Sequence, residues 1–197
     1  MMLKLNRLFF ALWPGEAQRR ACDEAARELR LKMQPGGYLS SPERYHITLL
    51  FLGDTVSPES EQAALKAAAR VKSPPFALNL ELASSFRANK KIPWWLGPRE
   101  TPPELTQLYD RLNEAMLSAR VLPERMKFVP HLTVLRDAHL PLPVTPIRPV
   151  AWNVDEFVLL RSRLDQKPMS YEILGRWKLD GSGEPPAPPP QKQLGLF

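Results

Sequence analysis

Two short segments, HITLLFLG at residues 46–53 and HLTVLR at residues 131–136, each open with a histidine and place a threonine two residues later. The chain has only three histidines, so two of them share one local context. Both runs are apolar and bounded like strands, and stretches with helical spacing lie near each. This repeat constrains the fold more than any other feature. It predicts an internal duplication into two lobes, each presenting one such strand.

The rest of the chain fits around that pair. LKLNRLFFALWP reads as a first strand and GEAQRRACDEAARELRLK as a helix. PGGYLSSPER breaks the helix and leads into the first histidine strand. A second helix is expected from Ser57 to Lys72, with Pro58 in its first turn. PPFALNLELASSF and IPWWLGP resume strand character. PPELTQLYDRLNEAMLSAR is an amphipathic helix with Leu105, Leu108, Leu112 and Met116 on one stripe. DAHLPLPVTPIRP reads as a proline-rich loop, and WNVDEFVLLRSRL with MSYEILGRWKLD as a closing antiparallel hairpin. This order favours an α+β fold over an all-parallel sheet. Residues 1–180 form one domain in this reading, and residues 181–197 a proline-rich flexible tail.

Composition narrows the chemistry. With 44% hydrophobic residues in 197, the chain can bury a proper core within one domain. Its apolar runs are far shorter than a membrane span, and the N-terminus lacks the pattern of a signal peptide. The expectation is a cytoplasmic monomer with no membrane association. Cys22, the only cysteine, has no internal disulfide partner and reads as structural. The formal charge of +6 suits an anionic ligand and equally a merely soluble basic surface. Three scattered histidines and one cysteine give no zinc-type cluster, and no phosphate-cradling glycine loop is present. No cofactor is expected.

The histidine strands carry the chemistry. Side chains alternate along a strand, so His46 and Thr48 share one face while Ile47, Leu49 and Phe51 take the other, and His131 and Thr133 divide likewise from Leu132 and Val134. Partners two residues apart stand about 6.6 Å from each other, a spacing that lets an imidazole and a hydroxyl grip one phosphate. In-line displacement at phosphorus puts attacking and leaving oxygens at opposite apices, so it wants a base at one end and an acid at the other. Two histidines facing each other across a cleft supply both. A single HxT in a strand is more simply explained by packing; its doubling is not. His139 lies in the proline-rich loop without that context and reads as solvated.

HITLLFLG and FVPHLTVLR, with the opening RLFFAL and the closing SYEILGRWKL, resemble the two-histidine phosphoesterase superfamily. The similarity is greatest to the bacterial and archaeal RNA 2',3'-cyclic phosphodiesterases once called 2'-5' RNA ligases. It runs from Arg7 to Leu179. It implies a bilobal fold with pseudo-twofold symmetry, two antiparallel sheets lining a central cleft and helices outside. It further implies hydrolysis of a terminal RNA 2',3'-cyclic phosphate to a 2'-phosphate without a metal, and reversible 2'-5' ligation by the same groups. His46 would be the acid on the departing 3' oxygen, His131 the base on water, and Thr48 and Thr133 the phosphate holders. The reverse direction exchanges the two histidines. The alternative is an RNA-end or nucleotide-binding module without turnover.

Four further features stay open at this level. Arg136 has the wrong parity for the cleft unless the strand ends or bulges, and reads as a phosphate contact or a surface ion pair. Phe128 reads as a platform for a terminal base or as core. Trp94 and Trp95 are adjacent, so one faces outward. The basic run Arg87 to Lys91 tracks an RNA backbone or is a solvated loop. Finally, QLGLF at the end resembles the peptide with which bacterial proteins dock onto the DNA polymerase sliding clamp, with Gln193 orienting, Leu194 alongside, and Leu196 and Phe197 filling an apolar pocket.

Overall fold

A computed structural model describes residues 6–88 and 90–181. The tail residues Gln193, Leu194, Leu196 and Phe197 lie outside the described residues.

β1 (Arg7–Leu12) is an apolar run with five of six residues buried, as a central strand requires. α1 (Glu16–Met33) buries Cys22, Ala26 and Leu29 and ends where Gln34 turns left-handed before Pro35. A short strand, β2 (Tyr38–Leu39), and a 3-10 turn (Pro42–Arg44) precede β3 (Ile47–Gly53). α2 (Pro58–Ala68) starts on Ser57, whose Oγ accepts from the Ser60 N–H at 3.2 Å, with Pro58 in its first turn. β4 (Phe76–Ser85), β5 (Ile92–Gly97), α3 (Pro103–Ser118) and β6 (Leu132–Ala138) follow. Three strands close the domain: β7 (Thr145–Val154), β8 (Glu156–Arg163) and β9 (Ser170–Lys178).

The strands run in the order β7-β4-β5-β6-β3-β1-β8-β9, with β2 alongside β6. All named pairings are antiparallel. The two predicted sheets are thus two four-stranded halves of one path. The halves meet where β3 pairs with β6, at the single pair Ile47↔Leu132. Outward from that seam the order β3-β1-β8-β9 mirrors β6-β5-β4-β7, which is the expected duplication expressed as topology.

The Ile47↔Leu132 pair is flanked by two further backbone hydrogen bonds across the seam, Ser40 N–H to the Val134 carbonyl at 2.8 Å and Glu124 N–H to the Phe51 carbonyl at 2.9 Å, and the helices brace it further. α1, which follows β1 of one half, packs on β6 and β7 of the other; α3, which follows β5, packs on β3. Each helix thus braces the half it does not belong to. Leu8, Phe10 and Leu12 of β1 point into this main core with the Leu105, Leu108, Leu112 and Met116 stripe of α3. Phe9 and Ala11 point the opposite way into a small second cluster with Val158 and Leu160. The helices cover one face and leave the other for a cleft.

Three sequence expectations need correction. α2 stops at Ala68, short of Lys72. The stretch TPIRP, expected as loop, is the start of β7, which pairs only with β4 and so accepts Pro146 and Pro149 as an edge strand does. The predicted final hairpin is β8 with β9, and Asp155 separates it from β7, to which Trp152 belongs. Among the described residues no helix is long and apolar enough to cross a membrane.

Candidate active site

Both histidine strands carry the same irregularity. Ala11 and Phe10 of β1 face Thr48 and Leu50, and Trp95 and Trp94 of β5 face Thr133 and Leu135. Leu49 and Val134 are therefore extra residues, a bulge directly after each threonine. Two buried residues in succession mark it in each strand, Leu49–Leu50 and Val134–Leu135. Beyond the bulge the alternation is inverted, so Phe51 and Arg136 return to the face of the histidines. Phe51, expected on the opposite face, lines the cleft; Arg136 reaches it by the one route its parity allowed.

His46, Thr48, His131, Thr133 and Arg136 line a single cavity of about 480 Å³. Arg7, Arg44 and Tyr171 join them, and the described lining contains no aspartate or glutamate. Arg7 pairs with Asp54 at 3.2 Å and lies over Phe51. Arg136 has no acidic partner among the described residues, and Arg44 makes no ion pair there, although its charge helps to lower Glu43. The cleft is a cationic hollow with hydroxyl donors, a chemistry that selects an anion. Among the described residues no group of three His, Cys, Asp or Glu side chains is arranged to hold a metal.

The two imidazoles are mounted alike. His46 Nδ1 lies 2.7 Å from the Arg44 carbonyl and His131 Nδ1 lies 2.7 Å from the Val129 carbonyl, each two residues back. A carbonyl only accepts, so Nδ1 carries the proton and Nε2 is left to a ligand. Aromatic rings hold each imidazole in place. Phe9 and Tyr171 stand 5.0 and 5.1 Å from His46, while Phe86 and Trp95 stand 4.7 and 6.3 Å from His131, centroid to centroid.

Burial pushes His46 down to about 4, and the charges of Arg136, His131 and Arg19 add to that against the opposing carbonyl of Arg44. Burial likewise lowers His131, again with Arg136 adding and the Val129 carbonyl opposing. Both rings are neutral in the free protein at pH 7. An anion between the rings would oppose the arginine charges that add to this lowering.

Behind His46 stands Arg19. Its Nε donates to the Pro14 carbonyl at 3.0 Å, its Nη1 donates to the Pro42 carbonyl, and its guanidinium lies 4.3 Å from the Trp13 ring. It thereby fixes the 3-10 turn whose last residue, Arg44, holds the His46 ring. On the other side Gly37 lets β2 approach β6: a Cβ there would fall 2.1 Å from the Arg136 carbonyl oxygen.

Phe128 is not part of this cavity. Its ring stacks on Tyr109 of α3 at 4.5 Å and 10°, packed against the main core, because it sits in the irregular segment before β6, where no strand alternation directs it to the cleft. Trp94 is the inward tryptophan, with Nε1 donating to the Leu140 carbonyl at 2.9 Å, and Trp95 is the one beside His131. His139 sits exposed over the Pro35–Gly36 turn. Sequence reasoning missed Phe9, Arg7, Arg44, Phe86 and Tyr171. Phe9 had a signal in the alternation of RLFFAL, where every second residue must face away from the helices; Tyr171 comes from a strand, and Phe86 from the residue just past one, whose register against the histidines no local pattern reveals.

Comparison with known proteins follows the same outline. A family model described as the 2'-5' RNA ligase superfamily matches residues 16–166. The chain is 32% identical over 181 residues to the RNA 2',3'-cyclic phosphodiesterase of Escherichia coli, covering 90% of this chain and 99% of that protein. It is 31% identical over 189 residues to the one from Thermus thermophilus, covering 89% and 91%. A crystal structure of E. coli LigT complexed with 3'-AMP superposes with a TM-score of 0.73 at 32% identity, over 90% of this chain and 99% of that one. The same E. coli protein complexed with phosphate gives 0.71 at 30%, over 89% and 98%.

Proposed function

The chain belongs to the 2'-5' RNA ligase superfamily and hydrolyses RNA 2',3'-cyclic phosphate ends, and we propose that His46 and His131 do this as an acid and base pair on one phosphorus. The observation that carries the proposal is their equivalence: two imidazoles mounted by the same carbonyl contact, two residues back, on the same bulged strand, opening on one cationic cavity.

Thr48 and Thr133 donate to the non-bridging oxygens, and Arg136 balances their charge. His131 Nε2 takes a proton from water as its oxygen bonds to phosphorus. The bond from phosphorus to the 3' oxygen breaks at the opposite apex, and His46 Nε2 delivers the proton that makes it a hydroxyl. The product carries a 2'-phosphate and a free 3'-hydroxyl. One histidine has gained a proton and the other has given one up, and exchange with solvent resets the pair. With a 5'-hydroxyl in place of water, the same site joins two ends through a 2'-5' linkage, His131 deprotonating that hydroxyl and His46 protonating the departing 3' oxygen; cleavage of the linkage by the 3'-hydroxyl is the reverse and exchanges the two roles.

The reaction is proposed to need no metal. Incubation with a 2',3'-cyclic nucleotide in excess EDTA should yield the 2'-phosphate at an undiminished rate, whereas loss of product on chelation, or a 3'-phosphate product, contradicts the mechanism. Docking of the tail onto a sliding clamp through Gln193, Leu194, Leu196 and Phe197 is a separate proposal, supported by the QLGLF sequence alone. A synthetic QKQLGLF peptide should bind the clamp at micromolar concentration, and no binding at high micromolar concentration removes the idea.

A further inference from the structure

The cavity between the histidines, at about 480 Å³, has room for roughly one nucleotide. An RNA chain ending there must leave over the rim. The turn joining β4 to β5 forms part of that rim, because Phe86, just past β4, and Pro93, the second residue of β5, both line the cavity, and Phe86 meets the His131 ring edge-on at 4.7 Å. Between them the turn exposes Arg87, Lys90 and Lys91. Lys91 adopts a left-handed conformation, φ 55°, a backbone state that non-glycine residues enter at some cost.

The pseudo-symmetry supplies the comparison. Pairing of Phe10 with Leu159 and of Trp94 with Ser85 makes Arg161 in β8 the topological counterpart of Arg87. In β8 it is Ser162 that lines the cavity, whereas Arg161 and Arg163 alternate with it onto the other face, where Arg161 pairs with Glu61 of α2 at 2.7 Å and with Glu172 at 3.2 Å, and Arg163 with Asp165 at 3.1 Å and with Glu172. Arg87 lies beyond the last residue of β4 and is not bound by that alternation. On the second-half rim Arg87, Lys90 and Lys91 have no acidic partner among the described residues. Three exposed cations with no acidic partner among the described residues, set between two residues that line the cavity, suit a polyanion leaving the site across this turn.

Resting on the proposed phosphodiesterase reading, we propose that the RNA strand leading to the cyclic end crosses the β4–β5 turn, with Arg87, Lys90 and Lys91 holding its backbone phosphates. A free cyclic mononucleotide then engages only the inner half of the site, and the nucleotides preceding the cyclic end engage the turn. These cations touch none of the reacting atoms, so they act on binding of the chain and leave the chemical step alone.

The test compares the wild type with the triple variant Arg87→Gln, Lys90→Gln, Lys91→Gln on two substrates: a 2',3'-cyclic mononucleotide, and a short RNA ending in a 2',3'-cyclic phosphate. Mononucleotide kcat/KM should stay within about twofold, which also shows that the variant folds. Oligonucleotide kcat/KM should fall about tenfold or more at low salt, through KM. The slope of log(kcat/KM) against log[salt] for the oligonucleotide should flatten by about 2, from roughly 0.7 for each single-strand phosphate that a side chain no longer neutralises. Equal losses on both substrates, or an unchanged oligonucleotide, overturn the proposal. If the wild type turned over neither substrate, the phosphodiesterase reading itself would fail; equilibrium binding of the same RNA with a 2'-phosphate end would still decide the rim, supporting it if the variant binds about tenfold more weakly and overturning it if binding is equal.

Discussion

Both imidazoles of the proposed acid and base pair, His46 and His131, are held below their ordinary range in the free protein. His46 is held down to about 4 and His131 below its ordinary 6.5, so the productive form of the free protein, with one ring charged and one neutral, becomes rarer as pH rises through that interval. The profile of kcat/KM should therefore peak on the acid side of 6.5, while kcat, measured with the phosphate anion bound, should peak at higher pH. Nucleotide binding at pH 7 should take up close to one proton, measurable by calorimetry in buffers of different ionisation enthalpy; no uptake would mean that the ring charges independently of the ligand. Arg136→Met should weaken phosphate binding by about 1.5–3 kcal/mol, the worth of one charge-assisted hydrogen bond. Phe128→Ala should instead lower stability, by about 3 kcal/mol or more for a stacked ring against the core, with KM unchanged. Arg19→Met frees the Pro42 carbonyl and the turn behind His46, so it should lower kcat more than it raises KM and move the acid limb of the pH profile upward.

The element that decides the site is the bulge. The stripe Leu105, Leu108, Leu112, Met116 and the pattern of RLFFAL could be read directly, because local periodicity fixes which side of a helix or strand is buried. The pairs His46/Thr48 and His131/Thr133 were equally legible, being two residues apart within one strand. What lies past Leu49 and Val134 was not, because an extra residue inverts every later side chain and leaves no trace in composition; hence Phe51 was assigned to the wrong face and Arg136 left between two readings. β2 was unreadable for another reason: two residues cannot show a period, and its place depends on Gly37 lying against the β6 backbone. Gly37→Ala should expose that dependence. With φ at 64° and an oxygen 2.1 Å from the new Cβ, the variant should lose about 2 kcal/mol or more in denaturant unfolding and lose activity through displaced Arg136.

At the scale of the whole molecule, the two half-sheets meet at the Ile47–Leu132 pair, are joined again where β2 and Ser40 bond to β6 and where Glu124 N–H donates to the Phe51 carbonyl at 2.9 Å, and are braced by α1 and α3 crossing the seam. Leu112→Ala on α3 removes a fully buried side chain from the shared core and should cost about 2–5 kcal/mol, with both halves unfolding in a single transition. Acid should weaken the fold as well. Between about 6.5 and 4 the unfolded chain binds protons that His46 refuses in the folded one, so stability falls as pH drops through that range. His46→Gln should blunt the decline.

The division of labour across one phosphorus is most directly tested with a 2',3'-cyclic substrate whose 3' bridging oxygen is replaced by sulfur, a leaving group that departs without a proton. The rates of His46→Ala and His131→Ala, both lowered about 10²–10⁴-fold on the oxygen substrate, should then separate: His46→Ala regains most of its rate and His131→Ala does not. Restoration of both variants, or of neither, would contradict a reaction in which one imidazole protonates the departing oxygen while the other activates water at the far apex.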